Sequence, residues 1–276
     1  MLSGPKRTML QRETIARHLD RGVLDGKYGI EIEVEGRNLP ESIPGWETHR
    51  EGSLRGEAME YVTIGAISDQ NLPRYLGALT RQLTQYESRV NDTYRAGVHV
   101  HYNMLSRTFD SVIRSIILWS IVEPVFLKYC GKSRDGNLFC VSSYDTGDMP
   151  QWLTRFYEGV NRGSGLFQRI GRGKYSSLNS NCLGNLGTLE CRAFPTTVDP
   201  EKITEFCKIV DCLLQNRDFH PSHWVTMADR QPEQMLNDIF GEELSQKFSG
   251  FCTPSLLGFG AETGFLLNEV YTEYMG

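Results

Sequence analysis

The chain has 276 residues, enough for one large domain or two small ones and for a sizeable core. A net charge of −5 gives no overall basic field to recruit nucleic acid, and 11% aromatics with 27 glycines fit a compact, turn-rich fold rather than disorder. Seven cysteines without a CxxC pair exclude a disulfide framework or a zinc knuckle and point to reduced thiols in a cytoplasmic protein.

Residues 1–20 are polar, with scattered basic residues and no apolar run, so no signal peptide is expected. Residues 1–26 read as a leading arm with a short helix over about 12–24, and 27–276 as a single domain. Residues 28–35 then alternate apolar and acidic positions. Period two predicts a strand with Ile30, Ile32 and Val34 on one face and Glu31, Glu33 and Glu35 on the other. Glutamate is a poor strand former and neighbouring carboxylates repel, so the row either lies in water or holds a cation.

Further strands are predicted over 46–50 and 60–64, joined through a tight turn at Glu51-Gly52-Ser53-Leu54. Pro73 opens a helix over about 72–90. Residues 97–103 return to period two, with Val98, Val100 and Tyr102 opposite His99, His101 and Asn103. Thr108 or Asp110 caps a long core helix that ends near Cys130-Gly131; with Arg114 and Glu123 inside, it is too short and too charged to span a membrane.

Residues 131–175 are polar and rich in Gly, Asp, Ser and Arg around an amphipathic piece at 152–157. Arg134, Arg155, Arg162, Arg169 and Arg172 suit a lid over phosphates or a plain solvated loop. A short strand at 174–179 and another at 187–194 follow, the latter with Glu190 and Arg192 opposite Leu189, Cys191 and Ala193. Asp199-Pro200 opens a helix to about Gln215, and short helices and loops fill 216–276. Strands with helices inserted between them predict an α+β fold around a mainly antiparallel sheet.

Three strands thus carry carboxylates, imidazoles and an arginine on one face. If they pair, the combination suits a metal–nucleotide site, since hard cations take carboxylate oxygen with an occasional imidazole and arginine forks bind phosphate or carboxylate. Each group also has an ordinary reading: His99 and His101 as strand residues bonded to neighbours, Glu190 and Arg192 as a surface pair, Lys174 as a surface lysine, and Glu57 and Glu60 as solvent-facing residues.

Taken in order, GIEIEVE, GSL with a following E-x-V, GVHVH, KYSSLN and TLECRAFPTT resemble the amidoligase family, carboxylate–amine ligases related to glutamine synthetase and glutamate–cysteine ligase. The resemblance covers about 28–215. It implies a curved, mainly antiparallel sheet with helices on its outer face, holding ATP and Mg²⁺ (or Mn²⁺) on its concave face. It implies phosphorylation of a substrate carboxylate and attack of an amine on the acyl phosphate. Glu31, Glu33, Glu60, Glu190 and His99 are thereby assigned to metal, with His101 the alternative imidazole and Glu57 a weaker candidate. His101, Lys174, Arg172 and Asn179 are assigned to the nucleotide, and Arg192 and Glu60 to catalysis. Glu51 stands where the family commonly has aspartate, and Glu35 is expected at the rim. Expected partners are small-molecule or peptide carboxylates and amines, with no membrane; a homo-oligomer is open. A phosphotransferase on the same scaffold and a non-catalytic binding protein are the competing readings.

Overall fold

A computed structural model describes residues 1–146, 148–163, 165–166, 174–215 and 219–276. The chain forms an α+β fold around a seven-stranded sheet of β1 (Tyr28–Arg37), β2 (Trp46–Arg50), β3 (Glu57–Thr63), β4 (Arg89–Val90), β5 (Gly97–Asn103), β6 (Leu178–Asn179) and β7 (Thr188–Pro195). The order is β2-β3-β1-β5-β7-β6, every neighbouring pair is antiparallel, and β4 pairs with the end of β1.

Alternation decides which face of the sheet is dry. Ile30, Ile32, Val98, Val100 and Cys191 are fully buried on one side. Helix α7 (Pro200–Leu214), capped by Asp199, covers this side: its Asp211 accepts from Tyr102 Oη at 2.7 Å, and its Phe206 stacks on Phe194 at 4.0 Å. The long helix α4 (Phe109–Cys130) begins at Thr108, whose hydroxyl accepts from Ser111 N–H, and is apolar nearly all round because it is enclosed. Its Phe126 packs edge-on against Phe194 at 5.2 Å.

Several boundaries differ from the sequence expectation. The first helices are α1 (Gly4–Arg12) and α2 (Ile15–His18), not one helix over 12–24. This leading segment is anchored rather than free: Leu10 and Ile15 are fully buried, and Leu2 N–H donates to Tyr274 O at 3.0 Å. Helix α3 (Leu72–Gln85) stops short of β4. Segment 131–175 is not one long loop, since it contains α5 (Ser143–Thr146) and α6 (Met149–Asn161). After α8 (Pro221–Arg230) and α9 (Pro232–Ser249), residues expected as short pieces form the 22-residue α10 (Pro254–Met275), opened by Thr253 as N-cap. Among the described residues no helix is long and apolar enough to cross a membrane.

Candidate functional site

Strand register brings the polar side chains together. Glu33 lies opposite Glu60 across β1–β3, Glu31 opposite His99 across β1–β5, His101 opposite Glu190 across β5–β7, and Asn179 opposite Glu190 across β6–β7. Side chains of directly opposed residues stand within reach of one another, so one polar surface runs across the middle of the sheet. Position 29, opposite His101, is glycine, so no side chain stands between that imidazole and Glu31.

A bulge shapes the far side of this surface. Between the pairs Val98–Phe194 and Val100–Cys191, β5 has one residue, His99, while β7 has two, Arg192 and Ala193. The extra residue turns Phe194 onto the apolar face, although strict alternation would place it beside Glu190 and Arg192. Arg134 braces the bulge by donating to Arg192 O at 2.7 Å and Ala96 O at 3.2 Å. Its guanidinium occupies the space beside Gly97, where an added Cβ would lie 2.2 Å from Arg134 Nη2. Arg134 is 1% exposed, so it is a structural clamp, neither a lid residue nor a member of a solvated loop.

The trio Glu31, His101 and Glu190 offers ligand atoms that all lie within 4.8 Å of one another, the only such His/Cys/Asp/Glu group among the described residues. His101 Nε2 is 2.9 Å from Glu31 Oε1, and its Nδ1 is 3.1 Å from Thr188 Oγ1. Glu190 accepts from Asn179 Nδ2 at 2.6 Å and from Arg192 Nη1 at 2.5 Å. His99, assigned to metal by resemblance, is outside the trio but inside the cluster. It sits 3.3 Å from Glu31, 3.5 Å from Glu190 and 3.6 Å from Glu33. Glu33 also accepts from Gly97 N–H at 3.1 Å.

Charge within the cluster is unevenly compensated. Burial works against the ionised Glu31 carboxyl, but contacts with His101 and His99 prevail and hold it well below the ordinary carboxylate range. Glu190 is likewise lowered: burial opposes ionisation and the Arg192 and histidine charges outweigh it. Burial lowers the His101 value, and the Glu31 contact reverses this to a net rise. Glu60 is the exception. Burial first, then the charges of Glu31, Glu33 and Glu51, push it up to about 7.

These groups line a cavity of about 310 Å³, which Arg192, Asn179 and Lys174 also border. Lys174 is exposed, with Nζ 5.9 Å from the centroid of the Tyr175 ring. Glu51 reaches the cavity, its carboxylate lowered by the hydrogen bonds from Ser53. Glu57 does not: it lies one step out of phase with Glu60 on β3 and accepts from Leu39 N–H at 3.0 Å. Glu35 is not at an open rim; it is buried and accepts from Arg55 N–H at 3.0 Å. Asn103 holds the backbone carbonyls of Leu24 and Gly26. Arg155, on α6, and Arg162, its C-cap, are exposed and away from the cavity, and Arg169 and Arg172 fall outside the described residues.

Sequence reading missed five cavity residues: Arg95, Phe139, Tyr175, Cys182 and Leu186. Arg95 had a signal, because the alternation of His99 and His101 continued upstream through Gly97 reaches position 95. Cys182, whose Sγ lies 3.4 Å from Glu190 Oε2, had none. Burial and the Glu190 charge raise its thiol to about 12. A larger groove of about 1160 Å³ between α3, α7 and α9 contains no such ligand group among the described residues. The sequence matches no known family model and no curated protein.

Proposed function

We propose that this protein is an ATP- and Mg²⁺-dependent carboxylate–amine ligase of the amidoligase type, which forms a peptide or isopeptide-like amide. The observation that carries this reading is the convergence of Glu31, Glu33, Glu60 and Glu190 with two imidazoles and Arg192 around one cavity on one sheet face. The antiparallel sheet, apolar on the helix-covered side, supports the finer expectation of a glutamine-synthetase-type fold.

The donor set fits a hard divalent cation, being mostly carboxylate oxygen with imidazole nitrogen, and the imidazole also suits Mn²⁺. Glu31, Glu190 and His101 would hold an ion, with Glu33 and Glu60 beside them. Bound cations supply neutralisation of the triphosphate charge.

The remaining work falls to this chain's own side chains. Arg192 offers its guanidinium to the transferring phosphoryl group or to the substrate carboxylate. Asn179 fixes the orientation of Glu190, and Thr188 that of the His101 ring. In the ligase reaction the γ-phosphoryl group of ATP passes to a substrate carboxylate, releasing ADP. The amine then displaces phosphate from the acyl carbon and loses a proton. Glu60, which lines the same cavity, is the carboxylate placed to accept that proton. No side-chain nucleophile is required, which agrees with the Cys182 thiol being held protonated.

Incubation with ATP, Mg²⁺ and pools of amino acids and short peptides tests the reading. ADP release above a Glu33→Ala control, with a new amide by mass spectrometry, is the expected result. A phosphorylated acceptor without an amide would select the phosphotransferase alternative. No ADP above the control across a broad pool would count against both.

A further inference from the structure

Beside its carboxylate floor the cavity has a second wall of different chemistry. Arg95 stacks over Phe139, guanidinium carbon to ring centroid 5.4 Å. Phe139 meets Tyr175 edge-on at 5.9 Å, and Lys174 stands over the other ring. Tyr175 is 47% exposed, so this wall is reachable from solvent. Arg95 is further fixed by donating from Nη2 to Ser53 O at 2.7 Å. Its Nε is buried and has no hydrogen-bond partner among the described residues; the same holds for Nε of Arg192, itself 8% exposed.

The Arg95 guanidinium lines the cavity and spends one hydrogen bond on Ser53 O, so it keeps donors for an incoming oxyanion. The stack and the Ser53 contact hold the guanidinium plane in place, so little ordering entropy is lost when it binds. None of the five carboxylates lining the cavity pairs with Arg95 among the described residues. Its remaining guanidinium donors therefore stay available while Glu190 engages Arg192.

We propose that Arg95 is a specificity residue that reads an oxyanion of the entering molecule, a carboxylate of the substrate or a phosphate of the nucleotide. The inference rests on reading the cavity as a ligand site and adds a second cationic reader to it.

Calorimetric titration in Mg²⁺ of glutarate and, separately, of inorganic phosphate into wild type, Arg95→Gln, Arg95→Lys and Glu31→Gln tests it. One probe should bind wild type at least about tenfold tighter than Arg95→Gln, with partial recovery in Arg95→Lys, which keeps charge but not the fork. Dependence seen with glutarate assigns a substrate carboxylate, and with phosphate a nucleotide phosphate. Binding equal in wild type and Arg95→Gln, or absent from wild type for both probes, overturns the proposal. Loss in Glu31→Gln alone overturns it and leaves the metal reading standing. Loss in Arg95→Gln alone supports it and removes the metal reading. If circular dichroism shows Arg95→Gln unfolded, Phe139→Leu, which keeps the arginine but removes its platform, is read instead: weaker binding supports the proposal and unchanged binding overturns it.

Discussion

Two of the places where this molecule buries carboxylates do so in opposite ways. Glu123, inside α4, is fully buried and surrounded by donors: Ser143 N–H at 2.7 Å, Trp119 Nε1 at 3.2 Å, Ser143 Oγ at 3.3 Å and a short contact from Ser177 Oγ. Burial still raises its pKa, with these hydrogen bonds opposing the rise. Its oxygens are satisfied by protein, and the network ties α4 to the first residue of α5 and to the residue before β6. At the sheet surface, Glu31, Glu33, Glu60 and Glu190 crowd against one another beside a cavity. Glu60 has no hydrogen-bond donor among the described residues. Four crowded carboxylates, one of them without a donor, have a use for a cation; a single carboxylate with four donors does not.

Substitutions at the two places therefore separate activity from stability. The largest effect is expected for Glu33→Gln, which removes charge while its amide oxygen can still accept from Gly97 N–H. Mg²⁺-dependent ADP formation should fall on the order of 10³-fold, with thermal stability unchanged or raised. Next is Glu123→Ala, which strands several buried donors and opens a void. It should cost about 3 kcal/mol in urea unfolding, while the folded fraction keeps its Mg²⁺ response.

The pH dependence sharpens the contrast further. The Glu60 value of about 7 lies above its ordinary 4.5, so the folded protein keeps a proton there that the unfolded chain releases. Stability without metal should therefore fall as pH rises from about 4.5 to about 7 and level off above, and Glu60→Gln should flatten that fall. Glu31 runs the other way: its depressed value gives stability present above the ordinary carboxylate range and lost in acid. Urea midpoints across pH read both slopes. Mg²⁺ binding should displace the Glu60 proton, so affinity should be higher above pH 7 than below it. The smallest effect belongs to Arg155→Ala, exposed on α6 and away from the cavity: activity unchanged and stability within about 0.5 kcal/mol. A large loss of activity there would restore the arginine lid.

How much of this was legible in the sequence follows from the range over which each signal acts. Period-two alternation is local, so the acidic face of β1 and the imidazoles of β5 could be read directly. Glu57 and Glu60 are both acidic and three residues apart, which on a strand means opposite faces; beginning the strand at 57 would have separated them. The bulge at Arg192–Ala193 depends on pairing with β5, and no run of residues within β7 announces it. Arg134 reads as a polar-loop arginine because its burial comes from a long-range fit beside Gly97. The start of α10 was readable, since Thr253-Pro254 is an N-cap followed by proline.

The central claim, that the acidic cluster and not merely the fold requires a cation, is tested most directly by calorimetric titration of Mg²⁺ with a non-hydrolysable ATP analogue into wild type, Glu31→Gln and Glu190→Gln. The account predicts binding by wild type and its loss in both variants, with far-ultraviolet circular dichroism unchanged. Equal binding by the folded variants, or no binding by wild type, would contradict it.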